Sequence, residues 1–259
     1  MLENGLSQEA ISQNLGTRFI GQRILYYPSL TSTNDVARQE AQRGAAEGTV
    51  VVADEQTAGR GRLKRAWLSP VGSIALSVFL RPDVVQLPSL MMLASLAVVR
   101  SLEAVTGLKA QIKWPNDVLI NGRKVCGILI ESDVRGDTVN YVIVGIGVNV
   151  NLRVADFPEI SPIATSLSGE LGREVSRLSV IRRLLVEMEK LYSGLSAGGS
   201  LYEEWRSRLV TLGKRVRAAT GDTVYEGIAE SVDRDGSLRL RGPDGSLTRI
   251  VVGDVTLRE

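Results

Sequence analysis

One short segment, residues 59–67, combines four basic side chains with two glycines and ends on a tryptophan (GRGRLKRAW). Glycine lets backbone N–H groups approach a ligand closely, and the arginine guanidinium offers a planar fork of donors that fits phosphate or carboxylate oxygens. The segment therefore predicts an anion-binding loop, which its glycines leave free to close over a ligand. A solvated or nucleic-acid-binding basic loop over residues 59–65 is the alternative that this segment alone leaves open.

A second set of polar residues, Lys113, Asn116 and Asp117, flanks a tryptophan and a proline (KWPND). A carboxylate and an amide oxygen can hold Mg²⁺ or a ribose, and a lysine suits a phosphate. Asn and Asp after a proline are also ordinary turn formers. Taken alone, the segment is compatible with a nucleotide site and with a plain turn.

Lys124 follows a tight Asn-Gly turn, beside Arg123, and could contact a phosphate or be a solvated lysine. Cys126 lies in an apolar run, where we expect a core residue rather than a nucleophile. The Gly145 and Gly147 pair is a weak glycine signal, because it lacks the strand, GxGxxG and helix order of a dinucleotide fold.

Composition narrows the chemistry further. The 259 residues include no histidine and a single cysteine, which excludes Ser–His and Cys–His nucleophiles, histidine-ligated zinc and disulfides within the chain. A total of 31 Lys and Arg residues against 29 Asp and Glu gives a net charge of +2, so any basic site must be local. Chemistry here has to come from lysine, arginine, carboxylates, amides, hydroxyls and the backbone.

Short strands and helices must position these loops. A strand over residues 48–53 leads into the basic loop and another over 73–80 leaves it, while the Asn-Gly turn predicts an antiparallel meander over 112–148. The strongest helical pattern spans 88–107. The remaining predictions are helices over 7–16, 35–42, 178–192 and 201–210, a strand over 23–27, and strands over 214–219, 223–232, 237–241 and 246–251. The last four strands are typical of a separate small β-barrel of about 50 residues.

No signal-peptide pattern opens the chain, and the longest apolar run, residues 90–99, is too short to span a bilayer. A hydrophobic content of 44% is enough for a large buried core. Together with the single cysteine, these features predict a cytoplasmic protein without membrane contact.

Taken together, these segments resemble the bacterial biotin protein ligases, or biotin–[acetyl-CoA-carboxylase] ligases. The most specific part of the resemblance is the basic loop together with KWPND on one chain, a pairing that lipoate ligases, the nearest relatives by fold, lack. The resemblance covers most of the chain through residues 32–34, Gln56 with 59–67, 69–70, 80–82, 113–117, 123–131, 147–149, 164–167 and 253–258.

The resemblance implies an α+β fold. Residues 1–210 would form a catalytic domain like that of class II aminoacyl-tRNA synthetases, with a mixed, largely antiparallel sheet and helices, and residues 211–259 an SH3-like barrel. Biotin and ATP would give biotinyl-5′-adenylate and pyrophosphate, and a lysine of a biotin carboxyl carrier protein would then attack the mixed anhydride. Mg²⁺ is expected with ATP. DNA is not an expected partner, because the residues ahead of the first strand are too few for the DNA-binding domain of repressor members.

By motif position, the resemblance also assigns the site. The residues assigned to biotin are Ser32, Thr33, Gln56, Gly59, Arg60, Trp67 and Gly127. Those assigned to the phosphate and carboxylate groups are Arg62, Arg65 and Lys124, and Lys124 is expected to stabilise the pentacoordinate α-phosphate. Those assigned to ATP are Arg62, Lys113, Asn116, Asp117 and Asn149, with Asp117 also holding the metal.

Lys64 stands where the family loop usually has glycine. If that backbone needs a positive φ, lysine there costs about 1 kcal/mol or more, and we expect a loop that releases more adenylate than a Lys64→Gly variant would.

Three alternatives stay open: a lipoate or other acyl-acid ligase of the same fold, a nucleic-acid-binding protein that uses residues 59–65, and an inactive carrier-docking module. An exposed edge of a large sheet is compatible with a homodimer.

Overall fold

A seven-stranded sheet carries the polar loops. The computed structural model describes residues 5–197, 200–221, 223–251 and 253–257, apart from the side chains of Lys64 and Ser196. The strands are β1 (Ile24–Leu30), β2 (Val50–Gln56), β3 (Ile74–Leu80), β4 (Gln111–Lys113), β5 (Asp117–Ile120), β6 (Arg123–Arg135) and β7 (Thr138–Val148). Their order is β1-β2-β3-β7-β6-β5-β4, with β1 and β2 parallel and every other neighbouring pair antiparallel.

Helices cover both faces of this sheet. They are α1 (Gln8–Ser12), α2 (Thr33–Gln42), α3 (Leu90–Thr106), α4 (Leu167–Leu171), α5 (Arg177–Ser196) and α6 (Tyr202–Ser207). The central strands are buried on both sides, since Val50 and Val52 of β2 join the main core with α3 and α5, while Val51 packs with α2 on the opposite face. Because both faces of β2 are buried, its sequence begins as an unbroken run of apolar residues.

Two helices are shorter than predicted. The predicted helix over 7–16 begins after its Ser7 cap, whose hydroxyl accepts from the Ala10 N–H, but it ends at Ser12, and Asn14 follows with a positive φ of 51°. The predicted helix over 201–210 ends at Ser207, because Leu209 instead forms a bridge with Ile112 of β4. In both places a turn or a tertiary contact overrides helical spacing.

The predicted meander over 112–148 is confirmed as the antiparallel strands β4 to β7. Asn121 and Gly122 both have positive φ, 50° and 77°, as a tight hairpin turn between β5 and β6 requires. The turn places Lys124 at the start of β6, directly across from Leu119 of β5.

The C-terminal residues form a second, five-stranded sheet. Its strands are β8 (Arg215–Thr220), β9 (Thr223–Val232), β10 (Leu238–Arg241), β11 (Leu247–Ile250) and β12 (Asp254–Leu257). They run antiparallel in the order β11-β10-β9-β8-β12. The predicted α+β class, with a largely antiparallel sheet and a small C-terminal β domain, is confirmed, although β12 was not predicted.

The α3 helix is apolar around most of its circumference. With the turn before it, residues Val84–Thr106, it is long and apolar enough to cross a membrane by length and composition alone. Most of α3 is buried within the core, where it packs against α5, and a buried core helix has the same composition as a membrane span.

Glu189, on α5, fixes the segment that precedes β1. Its buried carboxylate accepts hydrogen bonds from three successive backbone N–H groups, those of Arg18 (2.6 Å), Phe19 (2.9 Å) and Ile20 (2.9 Å). Burial raises the pKa of this carboxyl, but the N–H groups outweigh burial and hold the pKa below its ordinary value. The ionised form is therefore the one that stabilises the fold.

Glu189→Gln is expected to lower the free energy of unfolding by about 2–3 kcal/mol at pH 7, because charged hydrogen bonds to buried donors are lost. The folded-state pKa lies below the unfolded value of about 4.3. The stabilisation is therefore present above that value and disappears as the pH falls through the folded-state pKa. Urea denaturation from pH 7 to pH 3 should show the difference shrinking with acid, beside the exposed control Glu226→Gln. A difference that stays constant with pH would contradict this role.

Candidate active site

The polar loops meet at one cavity of about 220 Å³ on the large sheet. Most residues assigned from the sequence line it: Ser32, Thr33, Gln56, Arg60, Arg62, Arg65, Trp67, Asn116, Asp117, Lys124, Gly127 and Asn149. Gly59 and Lys113 lie outside its wall. Lys113 sits in β4, paired in register with Asp117, and Gly59 belongs to the base of the basic loop.

The basic loop, residues 59–67, folds back on itself. The Trp67 N–H donates to the Gly59 carbonyl (2.9 Å) and the Gly61 N–H to the Arg65 carbonyl (2.8 Å). A side chain at Gly59 would place its Cβ 2.4 Å from the Trp67 carbonyl oxygen, so this crossing requires glycine. Leu63 at the tip has φ 53° and ψ 36°, the left-handed region that strains a branched residue. The positive φ of this turn falls at Leu63, one residue before Lys64. The expected effect of Lys64→Gly on adenylate release stays a prediction.

Trp67 forms one wall of the cavity by packing on glycines of neighbouring strands. A Cβ at Gly147 on β7 would lie 2.3 Å from the indole Nε1, and one at Gly127 on β6 would lie 3.0 Å from the ring. The Trp67 Nε1–H is buried and has no hydrogen-bond partner within the described residues. The ring can pack this closely against the sheet only because neither strand carries a side chain there.

Lys124 faces Trp67 across the cavity. Its Nζ lies 2.6 Å from the Asp117 carboxylate and 5.3 Å from the centre of the Trp67 ring. Its backbone is fixed as well, because Lys124 N–H donates to the Ile163 carbonyl (2.9 Å) and the Thr165 N–H donates to the Lys124 carbonyl (2.8 Å). The ammonium is thus a compact positive charge held at a defined point of the cavity.

Arg62 joins three parts of the molecule. Its guanidinium donates to the Asn116 side-chain oxygen (3.1 Å) and to the carbonyl of Gly253 in the C-terminal sheet region (2.8 Å). Burial lowers the pKa of Arg62, and the carboxylates of Asp254 and Asp117 oppose that effect. An arginine stays charged near neutral pH, so this is a partly buried cation that its hydrogen bonds hold in the wall of the cavity that also contains Lys124.

Arg60 is held between two carboxylates on different elements. Its Nη2 lies 2.6 Å from Asp35 on α2 and 3.4 Å from Glu131 on β6. Asn34 donates to the same Glu131 carboxylate (2.7 Å), which ties the start of α2 to β6. Arg60 therefore anchors the first part of the basic loop to the opposite side of the cavity.

Hydroxyl and amide groups line the end of the cavity near α2. The Thr33 N–H donates to the Gln56 side-chain oxygen (2.8 Å), and the Thr33 hydroxyl lies 2.7 Å from that of Ser77. Ser32 is the N-cap of α2 but makes no side-chain capping bond, so its hydroxyl is not committed to the helix end. Near α2 the cavity therefore offers neutral donors and acceptors beside the paired charge of Arg60, whereas Arg62 and Lys124 lie against Asn116 and Asp117.

Two buried residues beside the cavity have structural partners. The Asn149 amide donates to the Thr165 carbonyl (3.0 Å), which holds the segment that follows β7. Burial raises the pKa of the Cys126 thiol, as expected for the core residue predicted from the sequence.

Known proteins identify the family. Residues 26–149 match the biotin/lipoate A/B protein ligase family, and residues 211–258 match the biotin protein ligase C terminal domain. The bifunctional ligase/repressor BirA of Bacillus subtilis (strain 168) is 41% identical over 258 residues, which cover 97% of this chain and 79% of that protein. The chain belongs to the biotin protein ligase family. As a biotin protein ligase it is an ATP-dependent enzyme, and the two alternatives of a lipoate or other acyl-acid ligase and of a nucleic-acid-binding protein are not favoured.

Two further relatives agree with this assignment. The biotin–[acetyl-CoA-carboxylase] ligase of Paracoccus denitrificans is 39% identical over 224 residues, covering 83% of this chain and 92% of that protein. The solved biotin protein ligase from Aquifex aeolicus, in complex with biotin and ATP, superposes with a TM-score of 0.76 at 30% identity and covers 92% of this chain and 99% of that one. The biotin protein ligase described here therefore has the predicted class II synthetase-like fold.

The sequence patterns assigned no role to four residues that lie near the ligase cavity: Asn34, Asp35, Glu131 and Asp254. One indication of a role for Asn34 was present in the sequence, because it directly follows Ser32 and Thr33. In the structure its side chain packs on Gly145, where an added Cβ would lie 2.1 Å from the Asn34 side-chain oxygen. Gly145 and Gly147, on one face of β7, are therefore glycines because the side chains of Asn34 and Trp67 pack directly on them. Nothing in the local sequence distinguishes Asp35 or Asp254 from solvated carboxylates.

The carboxylates of this biotin ligase also limit how a metal could be held. Among the described residues, no group of three or more Asp, Glu, His or Cys side chains could hold an ion. Asp117 supplies one carboxylate at the cavity wall, beside the Asn116 amide. Mg²⁺ commonly uses one or two carboxylates together with substrate phosphates and water, so the site fits a cation that arrives with ATP.

Proposed function

We propose that this biotin protein ligase performs both half-reactions at the cavity described above. In the first, the biotin carboxylate oxygen bonds to the α-phosphorus of ATP while the bond to pyrophosphate breaks. In the second, a lysine amine of a carboxyl carrier protein attacks the carbonyl of the mixed anhydride, AMP leaves, and the amine loses a proton. The observation that carries the proposal is the convergence of Arg62, Arg65 and Lys124 on one cavity walled by Trp67.

Electrostatics explains why so many cations are needed. A carboxylate and a phosphate oxygen brought to 4 Å repel by about 4 kcal/mol at an effective dielectric of 20. Arg62 and Arg65 would offset this repulsion on the polyphosphate. Lys124 would donate to the α-phosphate oxygens, whose charge grows in the pentacoordinate transition state. Mg²⁺ held by Asp117 would neutralise part of the triphosphate charge.

The pairing of Lys124 with Asp117 is central to this proposal. At 2.6 Å, the two side chains hold each other in place before substrates arrive. If Asp117 turns toward the cation that accompanies ATP, the Lys124 donors become free for the phosphate. The cavity thereby keeps its charge balanced without substrate and exposes a positive charge with it.

We propose that the neutral end of the cavity binds the ureido ring of biotin. Ser32, Thr33 and Gln56 supply the donors and acceptors that such a ring needs, and Arg60 adds a charged donor at the rim. The indole of Trp67 supplies an apolar wall beside Gly127 for the rest of the biotin bicycle. Asn149, Asn116 and Lys113 remain proposed for ATP, with Lys113 outside the cavity wall and therefore limited to an indirect or outer contact.

The proposals about partners rest on the sheet edges and the net charge, not on the cavity. A carrier domain of a biotin-dependent carboxylase is the proposed acceptor. β1 and β4 are the outermost strands of the large sheet, but the outer edge of β4 is bridged by Leu209, so we propose that a second copy of the chain would pair along β1. The net charge of +2 supports a protein that does not engage DNA, and a cytoplasmic location, where ATP is available, is part of the same proposal.

Transfer to a carrier tests the function as a whole. Purified protein, Mg-ATP, biotin and a biotin carboxyl carrier domain should give a mass increase of one biotinyl group on one carrier lysine. A carrier with that lysine changed to alanine should stay unmodified. Lipoylation of a lipoyl domain in place of biotinylation would instead favour the lipoate-ligase alternative.

A further inference from the structure

The basic loop of the ligase rests on its C-terminal domain. Arg62 Nη2 donates to the Gly253 carbonyl (2.8 Å), and Arg65 Nη1 lies 2.5 Å from the Asp254 carboxylate. Asp254 is the first residue of β12 and lines the same cavity as the two arginines. Two successive residues of the C-terminal domain therefore contact two of the proposed anion-binding cations.

Sheet pairing fixes this contact point. Asp254 pairs with Ala219 on β8, and a Cβ at Gly253 would lie 2.9 Å from the Ala219 carbonyl oxygen and from the Thr220 hydroxyl. The backbone at Gly253 therefore lies so close to β8 that only glycine fits without displacement. The carboxylate of Asp254 is presented to the basic loop by a rigid strand.

The Arg65–Asp254 pair is poorly suited to stabilising the fold. The Arg65 side chain is 67% exposed, and exposed ion pairs contribute little to stability. Asp254 is its one ion-pair partner among the described residues and occupies one terminal nitrogen of the guanidinium. The other N–H donors of the fork stay available to a second anion. The pair thus orients Arg65 without consuming its binding capacity.

We propose that Asp254 is a positioning residue for adenylation. It acts through Arg65, whose guanidinium it holds at the cavity rim so that the free donors face the polyphosphate of ATP. A long, exposed arginine side chain would otherwise have to be ordered when ATP binds, which weakens binding. The inference rests on the ligase activity proposed above and adds that one carboxylate of the C-terminal domain strengthens ATP binding through Arg65.

Initial rates of pyrophosphate release, with ATP and biotin varied separately, test the proposal. Asp254→Ala is expected to raise KM for ATP about two- to tenfold, the range for ordering one side chain, with kcat and KM for biotin nearly unchanged. Asp254→Glu, which keeps the carboxylate, should recover most of the ATP affinity. Glu226→Ala removes a charge from an exposed position on the same domain and should match wild type. The thermal unfolding midpoints of all variants should match that of the wild type.

A double-mutant cycle separates positioning from a general charge effect. If Asp254 acts through Arg65, Asp254→Ala should change nothing further in an Arg65→Ala background. The proposal is overturned if Asp254→Ala leaves KM for ATP unchanged or lowers it, if KM for biotin rises equally, or if the two substitutions add. Wild-type protein that releases no pyrophosphate in the presence of biotin would refute the proposed function instead, so the two failures are distinguishable.

Discussion

Lys124→Ala is expected to lower kcat for adenylate formation by about 10²–10³-fold, the usual loss when one donor to a developing oxyanion is removed. Lys124 is a compact charge in the cavity wall, with its Nζ 2.6 Å from the Asp117 carboxylate and 5.3 Å from the centre of the Trp67 ring. Biotin affinity should fall much less, because the proposed ureido-binding residues lie at the other end. Single-turnover formation of adenylate with saturating ATP and biotin measures the loss directly.

Two variants make the Lys124 result specific. Lys124→Arg keeps the charge but replaces a compact ammonium with a planar fork, so it should recover only part of the rate. Arg135→Ala removes an exposed basic residue at the far end of the same strand, β6, and should match wild type. Lys124→Ala activity within threefold of wild type would refute the central role of Lys124.

Gly147→Ala is expected to weaken biotin binding by about 10- to 100-fold. The added Cβ would lie 2.3 Å from Nε1 and 2.4 Å from Cε2 of Trp67, so the indole has to move away from the sheet. Overpacking of this kind costs about 1–3 kcal/mol, and here the displaced group is the proposed wall of the biotin site. Calorimetric titration of biotin measures the effect.

Gly194→Ala is the matched control for Gly147→Ala. Gly194 lies within α5 and has nothing within 4 Å of an added Cβ. Alanine there should leave biotin affinity unchanged and stabilise the helix by about 0.5–1 kcal/mol. Wild-type biotin affinity in Gly147→Ala would show that Trp67 does not form the wall of the biotin site.

Local sequence patterns predicted the elements whose stability is itself local or strongly periodic. The Asn121-Gly122 turn determines the hairpin that follows it, and the apolar pattern of α3 is too long to be anything but a helix. Four-residue β12 was missed because it exists only through its pairing with β8, about 35 residues earlier in the chain. The end of the last helix was misplaced for the same reason, since the bridge between Leu209 and Ile112 is a tertiary contact.

The residue types of the site were easier to predict than their partners. Arginine, lysine and glycine in one loop indicate an anion site from chemistry alone, but the carboxylate that balances each cation lies elsewhere in the chain. Arg60 meets Asp35 and Glu131, and Arg65 meets Asp254. Such pairings depend on which strand ends converge in three dimensions, which spacing along the chain does not reveal.

The most direct measurement is mass detection of the acyl-adenylate formed by purified protein from Mg-ATP with either biotin or lipoate, in parallel with Lys124→Ala. The cavity described here predicts biotinyl-adenylate from wild type, little or none from Lys124→Ala, and no lipoyl-adenylate. Lipoyl-adenylate as the main product, or no adenylate with either acid, would contradict the assignment of this cavity as a biotin-activating site.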